Sequence, residues 1–133
     1  MMQLDLSSLK SVQLFVAEFT KKYDRLDVLI NNAGIMFSPY NETEDGFELQ
    51  MGTNHFGHFA LTGQLMSLLK QTPNSRIVVT SSLGHKMSKG IDFNDIHWMD
   101  RKYDERKAYF DSKLANAYFT YEFNQCKILS VLH

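Results

Sequence analysis

In the stretch "ERKAYFDSKLANAYF", residues 105 to 119, Tyr109 stands four places before Lys113. On a helix that spacing puts both side chains on one face. A free phenol titrates near 10, too high for a base at neutral pH, and a neighbouring ammonium favours the phenolate and lowers that value. Tyr-x-x-x-Lys is therefore a sensible acid/base pair. A serine hydroxyl poised beside the phenol holds a substrate oxygen and shares its developing charge, and "RIVVTSS" brings Ser81 and Ser82. Each feature also has an ordinary reading. Tyr and Lys four apart are common, serines after a strand form turns, and a mid-helix amide such as Asn54 usually faces solvent.

The elements that position these residues follow from apolar spacing. Serines open a helix in which Leu9, Val12, Val16 and Phe19 share one face to about residue 22. "RLDVLINNAG" holds a continuous apolar run, Leu26 to Ile30, the pattern of a parallel strand buried on both faces. A polar loop follows, with Asn41 and Thr43 as candidate caps of a helix from about Phe47 to Lys70. Its apolar positions include Leu49, Phe56, Phe59, Leu61, Leu65 and Leu68. "RIVVTSS" reads as the next strand, residues 85 to 104 as an ordered loop carrying Trp98, and the Tyr109 stretch as a helix to about Asn124. "CKILSVLH" reads as a final strand.

Alternation of this kind predicts an α/β fold with a parallel sheet in one domain over residues 1 to 133. Ligands of such sheets bind beyond the carboxyl ends of the strands. Asn31-Asn32-Ala33-Gly34 and Thr80-Ser81-Ser82 fall at those ends.

Composition narrows the function classes. Fourteen Lys and Arg against 15 Asp and Glu leave a net charge of −1, with no basic surplus for nucleic acid or an anionic membrane. No apolar run approaches the length of a membrane span, and no signal-peptide pattern opens the chain. The single Cys126 excludes an internal disulfide and suits a reducing, intracellular and cytoplasmic setting. His55 and His58 stand three apart, a spacing that can ligate metal from a helix, but no cysteine pair or carboxylate motif accompanies them. Packing is the expected role for both, and no metal site is expected.

"LDVLINNAG", "TEDGFELQMGTNHFGHFALT", "RIVVTSS" and "AYFDSKLAN" resemble, in wording and in order, the short-chain dehydrogenase/reductase family, and most of all its retinol-dehydrogenase-like branch. The resemblance covers nearly all of residues 3 to 121. It implies a Rossmann-like doubly wound sheet and hydride transfer between NAD or NADP and a lipophilic alcohol, aldehyde or ketone, retinoid- or steroid-like. By the same resemblance Tyr109 is the general acid/base, and Lys113 lowers its pKa and bonds the nicotinamide ribose. Ser82 orients the substrate oxygen, and Asn54 supports a proton relay through water. Asn31, Ala33 and Gly34 line the cofactor's ribose side, and Asp5 lies near the adenine. The loop with Phe93, Ile96 and Trp98 either borders the substrate or packs onto the domain.

The chain also departs from that family. The glycine-rich turn T-G-x-x-x-G-x-G, whose backbone approaches the pyrophosphate, is not in it. By resemblance the domain is incomplete and lacks its first two β-α units. The expected consequences are an exposed strand edge open to self-association and an open core face. A second reading is therefore a catalytically inactive truncated relative acting by association with other chains.

Overall fold

The computed structural model describes residues 2–125. Ser8 caps α1 (Leu9–Lys22), its hydroxyl accepting the Ser11 N–H at 3.3 Å. Two acidic side chains from a later loop reach the same helix end. Ser8 Oγ donates to Glu44 at 2.6 Å, and the Leu9 N–H donates to Asp45 at 2.8 Å. Negative charge there complements the helix dipole. Val12 and Val16 are buried and Leu9 and Phe19 half-buried, as their spacing predicts.

β1 (Val28–Asn31) and β2 (Arg76–Val79) form a two-stranded parallel sheet, paired from Val28 with Arg76 to Asn31 with Val79. Parallel strands require a crossover, and here it is helical. α2 (Leu49–Met51), a π-helical turn (Gly52–Phe56) and α3 (Gly57–Gln71) run on without a break. The Gly57 N–H reaches the Gly52 carbonyl, the i to i+5 bond of the wider turn. Leu61, Leu65 and Leu69 of α3 pack with Val12, Val16, Leu29, Ile77, Val79 and Phe119, the last from α4 (Glu105–Gln125). Each fully buried leucine in such a core contributes about 1.5–3 kcal/mol.

Several expectations change. The apolar run of β1 is buried on one face only: Leu29 and Asn31 point into the core, while Val28 and Ile30 are 40% and 61% exposed. Among the described residues no element lies over that second face, and β1 pairs with β2 alone. The crossover helix starts at Leu49, not Phe47, and its cap is Glu48, whose carboxylate accepts the Gln50 and Met51 amides. Thr43 and Asn41 hold the preceding loop instead, accepting the Phe47 and Glu42 N–H groups. Phe59 is 54% exposed, since the four-residue series Leu61, Leu65, Leu69 carries the buried face after the π turn.

Residues 2–5 join no strand. The expected last strand lies outside the described residues. A 3-10 helix (Leu83–Met87) follows β2, and the loop after it is pinned by buried Trp98. The Arg101 guanidinium lies 3.7 Å above the Trp98 ring and the Tyr103 ring meets it edge-on, so Trp98 packs the loop onto the domain.

Candidate active site

α4 begins on Asp104, whose carboxylate accepts the amides of Arg106 and Lys107 at 3.1 Å each. Tyr109, Ser112, Lys113 and Asn116 then recur at helical spacing along one face. Ser112 is fully buried. Its hydroxyl donates to the Tyr109 carbonyl at 2.7 Å and accepts from Asn54 Nδ2 at 3.0 Å. Asn116 donates to the Asn54 carbonyl at 3.1 Å and to the Thr80 carbonyl at 3.3 Å, while its Oδ1 takes His55 Nδ1. Neither Ser112 nor Asn116 was singled out from sequence, although their three- and seven-residue offsets from Tyr109 carry the signal.

Asn54 sits inside the π turn and is fully buried, not solvent-facing. Its amide grips one residue of the loop after β1: Oδ1 accepts the Ile35 N–H at 2.8 Å and Nδ2 donates to the Ile35 carbonyl at 2.9 Å. His58 Nδ1 donates to the Asn54 carbonyl at 3.0 Å. Burial pushes the pKa of both His55 and His58 below the ordinary histidine value.

Lys113 is 5% exposed, and its Nζ lies 5.7 Å from the centre of the Tyr109 ring. Among the described residues no carboxylate pairs with this ammonium and no acceptor takes a hydrogen bond from it. Burial holds its pKa below the ordinary lysine value. Gly34 passes directly over it. A Cβ at that position would stand 2.9 Å from Asn54 Oδ1 and 3.4 Å from Lys113 Nζ, so only a glycine backbone comes this close.

Tyr109 is half-buried, its ring met edge-on by Phe37 at 5.3 Å. Ser82 caps the 3-10 helix, accepting the Gly84 N–H at 3.1 Å. A Cβ on Gly84 would lie 3.3 Å from the Tyr109 ring, so the 3-10 helix after β2 passes close to that ring. Ser81 fastens the same strand end to α4 by donating to the Lys113 carbonyl at 2.8 Å.

The structure thus gathers Tyr109, Lys113, Asn54 and Gly34, with Ser82 two residues from Gly84, which lies close to the Tyr109 ring. Ala33 lies exposed beside Gly34. Two other candidates face elsewhere. Asn31 is 1% exposed and turned beneath α3, where its Nδ2 donates to Thr62 at 2.8 Å. Asp5 is exposed, and its carboxylate accepts both the amide and the hydroxyl of Ser7, which lowers its pKa. Its hydrogen bonds serve the turn into α1.

A family model described as short chain dehydrogenase matches residues 1–91. The chain belongs to the short-chain dehydrogenase family. Over 122 residues it is 50% identical to retinol dehydrogenase 13 of Homo sapiens, a match covering 92% of this chain and 37% of that protein. It is 52% identical over 120 residues to retinol dehydrogenase 14 of Homo sapiens, across 90% of this chain and 35% of that one. The chain therefore spans little more than a third of the length of these curated relatives. The crystal structure of an uncharacterised protein from Mycobacterium Paratuberculosis superposes with a TM-score of 0.79 at 43% identity, covering 96% of this chain and 46% of that one. An alcohol dehydrogenase from the archaeon Thermococcus sibiricus, complexed with 5-hydroxy-NADP, gives 0.69 at 20% identity, over 97% of this chain and 50% of that one. That second likeness shows the shared Rossmann fold. No described helix is long and apolar enough to cross a membrane.

Proposed function

We propose that this chain carries the proton-handling half of an oxidoreductase site. The reaction interconverts an alcohol and a carbonyl, with NAD or NADP as the second substrate. One observation carries the reading: the Lys113 side chain is largely buried and its ammonium has no protein partner among the described residues, beside Tyr109 and the bare backbone of Gly34. A buried cation is costly unless something satisfies it, and a hydroxyl-bearing group placed over Gly34 would do so.

The residues present fit a nicotinamide ribose on that ground. Ala33 and Gly34 would border it with backbone, and Lys113 and Tyr109 would reach its hydroxyls. When bound, the nicotinamide supplies or accepts the hydride. The protein's own part is positioning and proton transfer. Tyr109 exchanges a proton with the substrate oxygen, Lys113 holds its ammonium beside that exchange, and Ser82 donates to the oxygen as its charge changes. Asn54 holds the loop over the lysine by its double bond to Ile35.

A lipophilic, retinoid-like substrate is supported by the relatives' names and by exposed Met36 on the loop after β1 and Leu83 and Met87 on the 3-10 helix after β2. The test is turnover of an apolar aldehyde with NADH and NADPH by the full-length protein and its Tyr109→Phe variant. Loss of one proton-transfer group is expected to cut kcat by roughly 10²- to 10⁴-fold at unchanged folding. Equal turnover by the two proteins would overturn the assignment.

A further inference from the structure

Away from Lys113 lies a second polar assembly that the proposed chemistry does not use. Gln50 and Glu48, both 0% exposed, meet Tyr103 beneath the loop after β1. Both donors and one acceptor position of the Gln50 amide are taken. Oε1 accepts the Phe37 N–H at 2.8 Å, and Nε2 donates to the Tyr103 hydroxyl at 2.8 Å and to the Glu105 carbonyl at 2.9 Å. The acceptor role toward Phe37 fixes which end of the amide is oxygen. Tyr103 in turn donates to Glu48 Oε1 at 2.8 Å, and burial beside that carboxylate holds its phenol well above the usual range, as a proton donor.

Two of the three groups that Gln50 joins bear on Tyr109. Glu105 is the first residue of α4, which carries Tyr109. Phe37 has φ +55°, a left-handed backbone that a bulky residue adopts only when its surroundings impose it. Its ring lies edge-on to Tyr109 at 5.3 Å and to Phe110 at 6.2 Å. Gln50 and Asn54 stand four apart, one helical turn, and between them hold the loop by Ile35 N–H, Ile35 C=O and Phe37 N–H. Asn54 aims the loop at Lys113; Gln50 aims it at Tyr109.

We infer that Gln50 is a positioning residue for Tyr109, acting through the main chain of Phe37 and the first turn of α4. The inference rests on the proposed role of Tyr109. It makes two variants informative. Gln50→Glu keeps the oxygen that accepts from Phe37 but loses both donors, whereas Phe37→Leu keeps every main-chain bond and removes only the ring against the phenol.

The experiment measures, in the full-length protein, kcat and KM per folded molecule for both variants and for Gln50→Leu. Alongside, it follows the ring-proton NMR signals of Tyr109, assigned by their loss in Tyr109→Phe. The expected result is a roughly tenfold fall in kcat for Gln50→Leu with KM changed less than about twofold, since a displaced reacting group costs rate before binding. Gln50→Glu is expected to fall between that variant and the native protein. The Tyr109 signals shift in all three, because the Phe37 ring current moves. Native kcat per folded molecule and unshifted Tyr109 signals in Gln50→Glu and Phe37→Leu would overturn the inference. If Gln50→Leu does not fold, those two variants decide it. If the native protein turns over no carbonyl with either nicotinamide, the proposed activity fails, and the ring signals still decide whether Gln50 positions Tyr109.

Discussion

Asn54 and Ile35 are joined twice, the side-chain amide to the main-chain N–H and C=O of one residue, although 19 residues separate them. The bond pair works only with a carboxamide, which donates and accepts in one plane. Asn54→Asp keeps the acceptor for the Ile35 N–H but loses the donor that serves the Ile35 carbonyl and Ser112. Asn54→Leu loses all of it and leaves buried polar groups unpaired. Chemical denaturation is expected to show a loss of about 2–4 kcal/mol for Asn54→Leu. A loss below about 1 kcal/mol would mean that the clamp is not structural.

Lys113 should cost stability, not supply it. Its pKa in the folded protein lies below the ordinary value of 10.5, so the unfolded chain binds this proton more tightly. The cost is fully present below the folded pKa. It declines as pH rises from there toward 10.5, where the unfolded chain also loses the proton. Lys113→Met is accordingly expected to raise stability at pH 7 by about 0.5–2 kcal/mol while abolishing turnover. The gain should shrink between neutral and alkaline pH in matched urea titrations. A variant less stable than the native protein at pH 7 contradicts this account.

His58 predicts the acid side. Its folded pKa lies below the ordinary 6.5, chiefly through burial, with Lys113 opposing protonation and the bond to the Asn54 carbonyl favouring it. His55, on the same helical run, is shifted the same way. Below 6.5 the unfolded state takes up protons first, so stability falls as pH drops toward the folded values. His58→Asn retains a donor and does not titrate. Thermal unfolding at pH 7.5 and 5.5 should show a smaller pH-dependent drop in Tm for His58→Asn than for the native chain. An identical drop would assign the acid sensitivity elsewhere.

Much of this arrangement could be read from local pattern. Val12 and Val16 declared the buried face of α1, and "RIVV" declared β2, because both signals lie within one turn or one strand. The pairing of Tyr109 with Lys113 was legible for the same reason. What stayed hidden depends on contacts far apart in sequence. Tyr103 and Gln50 are 53 residues apart and nothing local marks either. The π turn shifts the helical face, so Phe59 read as core. The exposure of Val28 and Ile30 reflects what lies over the sheet, which an apolar run cannot report.

Gly34 offers the sharpest separation of fold from site. Alanine there places its Cβ 2.9 Å from Asn54 Oδ1 and 3.4 Å from Lys113 Nζ. The first distance is too short for carbon against oxygen, so either the loop lifts or the Asn54 amide turns. Lifting weakens the Ile35 clamp and costs stability; turning preserves the fold but fills the space over the lysine. A group bound over Gly34 competes with that methyl directly. Gly34→Ala in the full-length protein is therefore expected to weaken NADH and NADPH binding by at least roughly tenfold, with a stability loss of about 1–3 kcal/mol. Nicotinamide fluorescence titration together with urea unfolding measures both. Native cofactor affinity in the folded variant would remove Gly34 and the Lys113 ammonium from the cofactor site and leave the glycine a purely structural role.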